Sequence, residues 1–270
     1  MRRVANFEKL LIIGCGNMGG AMLAGWLAAG LSPSRFAVLD PALEQTPDGV
    51  ALFHDPADAS DHDAVLLGFK PQQLSALGPQ LQSVIEGRAV FSLLAGIELA
   101  SLAKVFPSGA AHIRVMPNLA ARLNKSPVIL AEAGLSAEMR KDAQTLFGRL
   151  GTAVWLPDED QFNLVTALAG SGPGFVYRFI DALAKAGIEL GLASEMAESL
   201  ALATVEGASA LAASSECSPA GLADRVASPG GMTREGLSVL DEDKALISLL
   251  KRTLELTAKK GDELAKGAEN

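Results

Sequence analysis

Leu10-Leu11-Ile12-Ile13-Gly14-Cys15-Gly16-Asn17-Met18-Gly19 is the stretch that decides the fold of this chain. Four consecutive apolar residues read as a buried strand, and the glycines after them end it. The alanine- and leucine-rich run that follows reads as a helix. Strand, glycine turn and helix in this order form the G-x-G-x-x-G arrangement that binds dinucleotides. Gly14 permits the tight turn, Gly16 lets the backbone approach a pyrophosphate, and Gly19 allows close helix–strand packing. Asn17 and Met18 open the helix whose N-terminus would face the phosphates. A glycine turn with a purely structural role has the same spelling, so the context has to separate the two.

That context is an alternation of β-prone segments with helical ones. Strands are expected at 9–14, 36–40, 64–69, 89–94, 113–116, 128–132 and 152–156, with helices at 18–29, 72–85 and 137–150 between them. Such alternation predicts an α/β fold, a Rossmann-type doubly wound and mostly parallel sheet. After Pro157 the strands stop. Asp158 with Gln161 three residues later suits a helix start, and the pattern is helical almost to the end. The reading is therefore a dinucleotide-binding domain over 1–157 and an all-α domain over 158–270. In the helical half Ala201, Ala203, Gly207, Ala208, Ala210 and Ala212 permit close helix–helix approach, and Leu246, Leu249, Leu250 and Leu254 share one face of the last helix. Self-association through these helices and a compact monomeric bundle both fit that pattern.

The chain has 270 residues, is 49% hydrophobic, and carries a net charge of -8 with pI ≈ 5.0. Without a basic run or an aromatic-basic stripe, nucleic acid is not an expected partner. Cys15 and Cys217 are too far apart in sequence to suggest a ligand pair, and His54, His62 and His112 show no metal spacing, so no metal is expected. The uncharged run from Leu11 to Leu31 follows Arg2 and Arg3 and superficially resembles a signal peptide or membrane span. Gly14, Gly16, Gly19, Gly20 and Gly25 suit a turn and a closely packed helix instead, so the expectation is a cytoplasmic protein with no membrane partner.

Asp40 ends the second strand about 20 residues beyond Gly19, where a carboxylate can accept hydrogen bonds from ribose hydroxyls and repel a 2′-phosphate. Asp40-Pro41 also spells an ordinary turn. Lys70-Pro71 and Ala95-Gly96 follow the expected strands 64–69 and 89–94, at the carboxyl ends where such sheets bind ligands. In the helical half, Gly170-Ser171-Gly172-Pro173 implies a kink or helix restart. Ser228-Pro229-Gly230-Gly231-Met232-Thr233 breaks a second helical stretch. Its glycines leave backbone N–H groups free to converge, and the following helix adds a positive dipole end suited to a carboxylate, although Pro-Gly pairs also mark plain turns.

With its motifs in this order the chain resembles the pyrroline-5-carboxylate reductases over nearly its whole length. The resemblance rests on Gly14 to Gly19, Phe69-Lys70-Pro71, Arg114-Val115-Met116-Pro117-Asn118, Gly170 to Pro173 and Ser228 to Thr233. It implies hydride transfer from NADH or NADPH to the cyclic imine 1-pyrroline-5-carboxylate, giving L-proline, in a protein that self-associates with its site near a subunit interface. By the same resemblance Thr233 would hydrogen-bond the imine nitrogen as the catalytic group. Gly230, Gly231 and Met232 would hold the substrate carboxylate, with Ser228 in the same turn and Glu216 at an acidic position near the pocket. Glu216 also reads as a solvated charge before the Ser218-Pro219 helix start.

The chain departs from its relatives in three places. Leu119-Ala120 stands where they continue into Thr-Pro, Asp40 replaces a commonly neutral residue, and Asp55 replaces an asparagine near the adenosine ribose. Two carboxylates there favour NADH over NADPH. A β-hydroxyacid dehydrogenase shares the two-domain plan, but the stretch Gly170 to Arg178 contains neither the lysine nor the asparagine that family uses. A dinucleotide-sensing protein without catalysis is the alternative from another class; an intact Ser228 to Thr233 turn speaks against it.

Overall fold

The computed structural model of the chain describes residues 7–268; Arg2 and Arg3, part of the signal-like reading, lie outside them. Eight strands form one sheet: β1 (Leu10–Ile13), β2 (Phe36–Leu39), β3 (Ala51–Phe53), β4 (Ala64–Leu67), β5 (Ala89–Ser92), β6 (Ala111–Met116), β7 (Ser126–Ala133) and β8 (Gly151–Trp155). Their order is β3-β2-β1-β4-β5-β6-β7-β8. All neighbours run parallel except β6 and β7, which pair antiparallel. The order reverses between β1 and β4, and in an open α/β sheet that reversal opens a crevice at the carboxyl ends.

Strand β1 shows why the sheet is covered on both faces. Its side chains alternate, so Leu10 and Ile12 join Met22, Trp26, Phe91 and Phe147, whereas Leu11 and Ile13 join Leu39, Val65, Ile85 and Phe106. The helices Asn17–Ala28 and Ala137–Gly148 cover the first face. Trp26 locks them together, stacking on Phe36 at 5.3 Å and donating its Nε1–H to Leu146 O at 2.8 Å.

Two local expectations are corrected. The three-residue strand β3 is not among the segments read from sequence, being too short to show alternation. The helix expected over 72–85 is instead a chain of short pieces, 3-10 turns Pro71–Gln73 and Gly78–Leu81 interleaved with helical turns Leu74–Leu77 and Gln82–Ile85. Pro79 has no N–H for a helical bond, and Gly78 lowers the cost of leaving the helix. The leucines and Ile85 still face the sheet.

Beyond β8 the described chain is helical, with Gly172–Glu189, Ser194–Ser214, Pro219–Val226, Met232–Asp241 and Ala245–Ala268 as its longer helices. The helix restart read at Gly170 to Pro173 takes the form of a π-helical turn, Thr166–Gly170, followed by a new helix with Pro173 in its first turn. By compactness the chain divides into a unit of 1–170 with 257–270 and a unit of 171–256. The division falls later than residue 157 because Phe162 is buried with Leu99, Ile129 and Ala131. Asn163 Nδ2 also donates to Asp262 Oδ1 at 2.7 Å, drawing the end of the last helix into the sheet unit.

The second unit has a different character. Its buried apolar residues among those described are all alanines: Ala184, Ala197, Ala201 and Ala227. Large side chains stay open to solvent, among them Leu190 at 89% and Leu211 at 60% exposure. A helical unit without a large buried side chain of its own leaves apolar faces for another surface to cover.

Close backbone approach yields a stability prediction. A Cβ on Gly25 would run into the Ala121 carbonyl and lie 2.9 Å from Leu150 Cδ2, whereas one on Gly148 meets nothing within 4 Å. Gly25→Ala is expected to lower unfolding stability by about 1–3 kcal/mol, and Gly148→Ala to be neutral or stabilising by up to about 1 kcal/mol. Urea midpoints of the two variants check the contrast.

Candidate active site

The glycine turn sits at the carboxyl end of β1, where the strand order reverses. Gly14 has φ +84, and a Cβ there would lie 2.8 Å from the Phe69 backbone nitrogen. A Cβ on Gly19 would lie 2.9 Å from Gly14 O, and one on Gly68 would collide with the same carbonyl. Backbone therefore packs on backbone where β1, β4 and the following helix meet. Gly16 differs: a Cβ there meets nothing within 4 Å, so its open side faces free space.

That space belongs to a cleft of about 720 Å³ lined by Gly14, Gly16, Asp40, His54, Asp55, Phe69 and Lys70. The helix beginning at Asn17 has no side-chain cap and no acidic residue in its first turn. The backbone N–H of Gly20 donates to Gly16 O, but those of Asn17, Met18 and Gly19 donate to no backbone carbonyl among the described residues. Free amides, a positive dipole end and open space at Gly16 together suit an anionic group. The residues present thus fit a dinucleotide's pyrophosphate.

Asp40 follows β2 and is held by two backbone donors. Its Oδ2 accepts from Cys15 N–H at 2.9 Å and its Oδ1 from Ala42 N–H at 3.0 Å. The first bond ties the end of β2 to the glycine turn. Burial, then the nearby Asp40 charge, push the Cys15 thiol up to about 11. Asp55 caps the Pro56–Asp58 turn, accepting from Ala57 N–H at 2.8 Å. Lys70 opens the turn after β4, and no carboxylate among the described residues forms an ion pair with it. Pro71 continues that turn, and Ala95-Gly96 form a turn beyond β5 with Gly96 at φ +77. These last three share the sheet's carboxyl edge but do not line the cleft, and neither do Asn17, Met18 and Gly19.

His54, absent from the sequence candidates, does line it. The register that pairs Leu39 with Phe53 sets His54 beside Asp40, and its Nδ1 lies 3.0 Å from Asp40 O. A single histidine with no partner at metal spacing gives no signal in sequence. Elsewhere at the same edge, Arg114 is buried on β6. Its Nη1 donates to Glu159 Oε1 at 2.8 Å, and its guanidinium carbon lies 3.8 Å from the Phe162 ring centroid. Burial pulls the Arg114 pKa down, and Glu159 opposes the shift. Glu159 Oε1 also accepts from Leu99 N–H at 2.9 Å, so one ion pair fixes the starts of two helical segments.

The Leu119-Ala120 departure has a local consequence. Ala120 N–H donates to Asn118 Oδ1 at 2.9 Å, a donor that proline would lack. Asn118 Nδ2 donates to Ala169 O at 2.9 Å, within the π-helical turn.

In the second unit the substrate candidates occupy two loops. Glu216 is exposed ahead of helix Pro219–Val226, whose N-cap Ser218 accepts from Gly221 N–H at 3.2 Å. Ser228, Pro229 and Gly230 lie beyond its other end, about 12 Å along the axis for an eight-residue helix. Gly230 takes φ +70, and Gly231 starts helix Met232–Asp241 with no side-chain cap; against expectation the Gly231 N–H is not free, because the tight turn directs it to Ser228 O at 2.9 Å. Met232 and Thr233 donate to no backbone carbonyl among the described residues, and Met232 is 93% exposed. Arg234, missed in the sequence, fixes this turn by donating to Asp224 Oδ1 at 3.1 Å and to Ala227 O at 2.9 Å. Among the described residues no cluster of His, Cys, Asp and Glu suits a metal, and no helix is long and apolar enough to cross a membrane.

Residues 159–264 match the family described as pyrroline-5-carboxylate reductase dimerisation, and residues 9–96 the family described as NADP oxidoreductase, coenzyme F420-dependent. The chain is 33% identical to the pyrroline-5-carboxylate reductase of Pseudomonas aeruginosa, covering 95% of this chain and 97% of that protein. A solved pyrroline-5-carboxylate reductase from Coxiella burnetii superposes with TM-score 0.89 at 29% identity, over 96% of this chain and 99% of that one. A Plasmodium falciparum pyrroline carboxylate reductase, solved with NADP bound, shares the fold with TM-score 0.81 at 22% identity, over 97% and 99% of the two chains.

The thiol in the glycine turn gives a chemical check of this geometry. With Cys15 at about 11, its labelling by iodoacetamide at pH 8 should be at least about a hundredfold slower than that of an ordinary free thiol, because the thiolate is the nucleophile. Asp40→Asn should speed it. Peptide mass spectrometry over a time course reads both rates.

Proposed function

The chain belongs to the pyrroline-5-carboxylate reductase family, and on that footing we propose how its residues divide the work. It is an NAD(P)H-dependent oxidoreductase of proline biosynthesis that reduces 1-pyrroline-5-carboxylate to L-proline. Its helical part serves self-association, in keeping with a second unit whose large apolar side chains stay uncovered. The observation that carries the reading is the pair of uncapped, glycine-started helices. One stands at the sheet's reversal point and suits a pyrophosphate; the other, at Gly231, suits a small carboxylate.

When bound, the reduced nicotinamide supplies the hydride that C5 of the imine accepts, and the imine nitrogen ends as the amine of proline. Gly14, Gly16 and Gly19, with Asn17 and Met18 on the helix start, hold the dinucleotide's phosphates. Asp40 and Asp55 take the ribose region with Lys70 in the same cleft, and Pro71, Ala95 and Gly96 shape the edge along which the nicotinamide half lies. Gly230 and Met232 bind the substrate carboxylate through backbone N–H groups, while Gly231, whose own N–H donates to Ser228 O, shapes the turn with Ser228, and Glu216 contributes a charge near the pocket. Thr233 Oγ1 hydrogen-bonds the imine nitrogen. A protonated imine is already electrophilic, so this neutral hydroxyl orients it, and the site's work is alignment and exclusion of water.

NADH is the preferred cofactor in this reading. Asp40 is fixed by Cys15 and Ala42, and Asp55 lines the same cleft. Two unit charges about 4 Å apart at an effective dielectric near 20 repel by about 4 kcal/mol, and solvent screening reduces this severalfold. Even about 1.4 kcal/mol is tenfold in preference. Lys70 in the same cleft works in the opposite direction, so two carboxylates act against one ammonium.

Oxidation of NADH and of NADPH, measured separately with 1-pyrroline-5-carboxylate, tests both activity and preference. NADH is expected to show the higher kcat/KM by about tenfold, and Asp40→Ser to shift the ratio toward NADPH. Equal or better use of NADPH by the unmodified enzyme would overturn the preference. Thr233→Ala should lower kcat about three- to tenfold while leaving the cofactor KM unchanged, as for one hydrogen bond to the reacting group. Unaltered kcat/KM for the imine would remove Thr233 from the site.

A further inference from the structure

A titratable ring stands in the cofactor cleft that the proposed function does not use. His54 Nδ1 faces the Asp40 main-chain carbonyl at 3.0 Å. A carbonyl oxygen only accepts, so the neutral imidazole carries its proton on Nδ1 and presents Nε2 as an acceptor. The residue lies beside Asp40 across the β2–β3 register, lines the cleft, and is exposed. Neutral, Nε2 can accept from a ribose hydroxyl. Protonated, it becomes a charged donor, which suits a phosphate. We infer that His54 is a specificity-determining residue that makes this chain's discrimination against a 2′-phosphorylated dinucleotide depend on pH.

The inference rests on the dinucleotide reading of the cleft. The charged groups lining the cleft with His54 are Asp40 from the end of β2, Asp55 from the turn after β3, and Lys70 from the turn after β4. Asp58 shares the turn with Asp55 but does not line the cleft. With His54 neutral, two carboxylates and one ammonium leave the ribose region net negative. With His54 protonated the four charges cancel. A charged His54 would thus relax the rejection of a 2′-phosphate that the two carboxylates impose, so rejection should weaken as the solution is made more acidic.

Binding of fragments tests this without turnover. Calorimetric Kd values for adenosine 5′-phosphate and adenosine 2′,5′-bisphosphate are measured at pH 8 and pH 6 on the unmodified protein and on His54→Asn. The variant keeps a side-chain donor for Asp40 O, and a matching far-UV spectrum and thermal transition show that it is folded. The free ligand's 2′-phosphate also titrates between these pH values, and that contribution is common to both proteins. In the unmodified protein the bisphosphate-to-monophosphate Kd ratio should fall about tenfold more between pH 8 and pH 6 than in H54N. The same change in both proteins would overturn the role of His54. Failure of both fragments to bind either protein would overturn the dinucleotide reading, and the inference with it.

Discussion

Backbone packed on backbone at the end of β1 is the constraint on which the cofactor half depends. Gly14, Gly19 and Gly68 leave no room for a Cβ, since each would meet main-chain atoms of the neighbouring segment. Main chain cannot move aside as a flexible side chain can, so these positions hold β1, β4 and the first helix at a separation that only glycine allows. The helix start is thereby kept uncapped and open at Gly16, and Cys15 N–H is left pointing at Asp40. The same packing that closes the turn thus fixes a carboxylate on the wall of the cleft. Binding groups held by the fold need no reordering when a ligand arrives.

The carboxyl edge of the sheet is stiffened a second time by the buried ion pair of Arg114 with Glu159. A lone buried guanidinium would be costly, and the pair gains from the Phe162 ring beneath it and from the Leu99 N–H that shares the carboxylate. Its value lies in position more than in stability, because it joins β6, the helix that starts at Leu99 and the segment leading to Phe162 at one point. Asn118 does similar work nearby, bridging the β6 exit to the π-helical turn through Ala169 O.

The two units divide stability and assembly between them. The sheet unit buries large aromatic and aliphatic side chains on both faces and carries its own core. The helical unit buries alanines and exposes leucines, a pattern unstable in water unless another apolar surface covers it. Self-association offers the cover those faces lack, and the turn from Ser228 to Thr233 on this unit is held locally by the Arg234 clamp on Ala227 O.

What the sequence determined alone was what repeats or breaks locally. The strand, glycine turn and helix at residues 10–19, the alternation that makes a doubly wound sheet, the end of strands after Pro157, and the helix restart at Gly170 to Pro173 all follow from apolar spacing and from glycine and proline. Tertiary structure decided what joins residues far apart in the chain. The short strand β3 exists through pairing with β2, the segment after Pro71 gives up a continuous helix at Gly78-Pro79 while keeping its apolar contacts, and Phe162 and Asp262 return to the sheet unit by packing. His54 reaches the cleft only because the β2–β3 register sets it beside Asp40, and Asp40 meets Cys15 only because β1 and β2 are neighbours. A side chain's partner across the fold is set by register and burial, and neither leaves a periodic trace in the residues that make it.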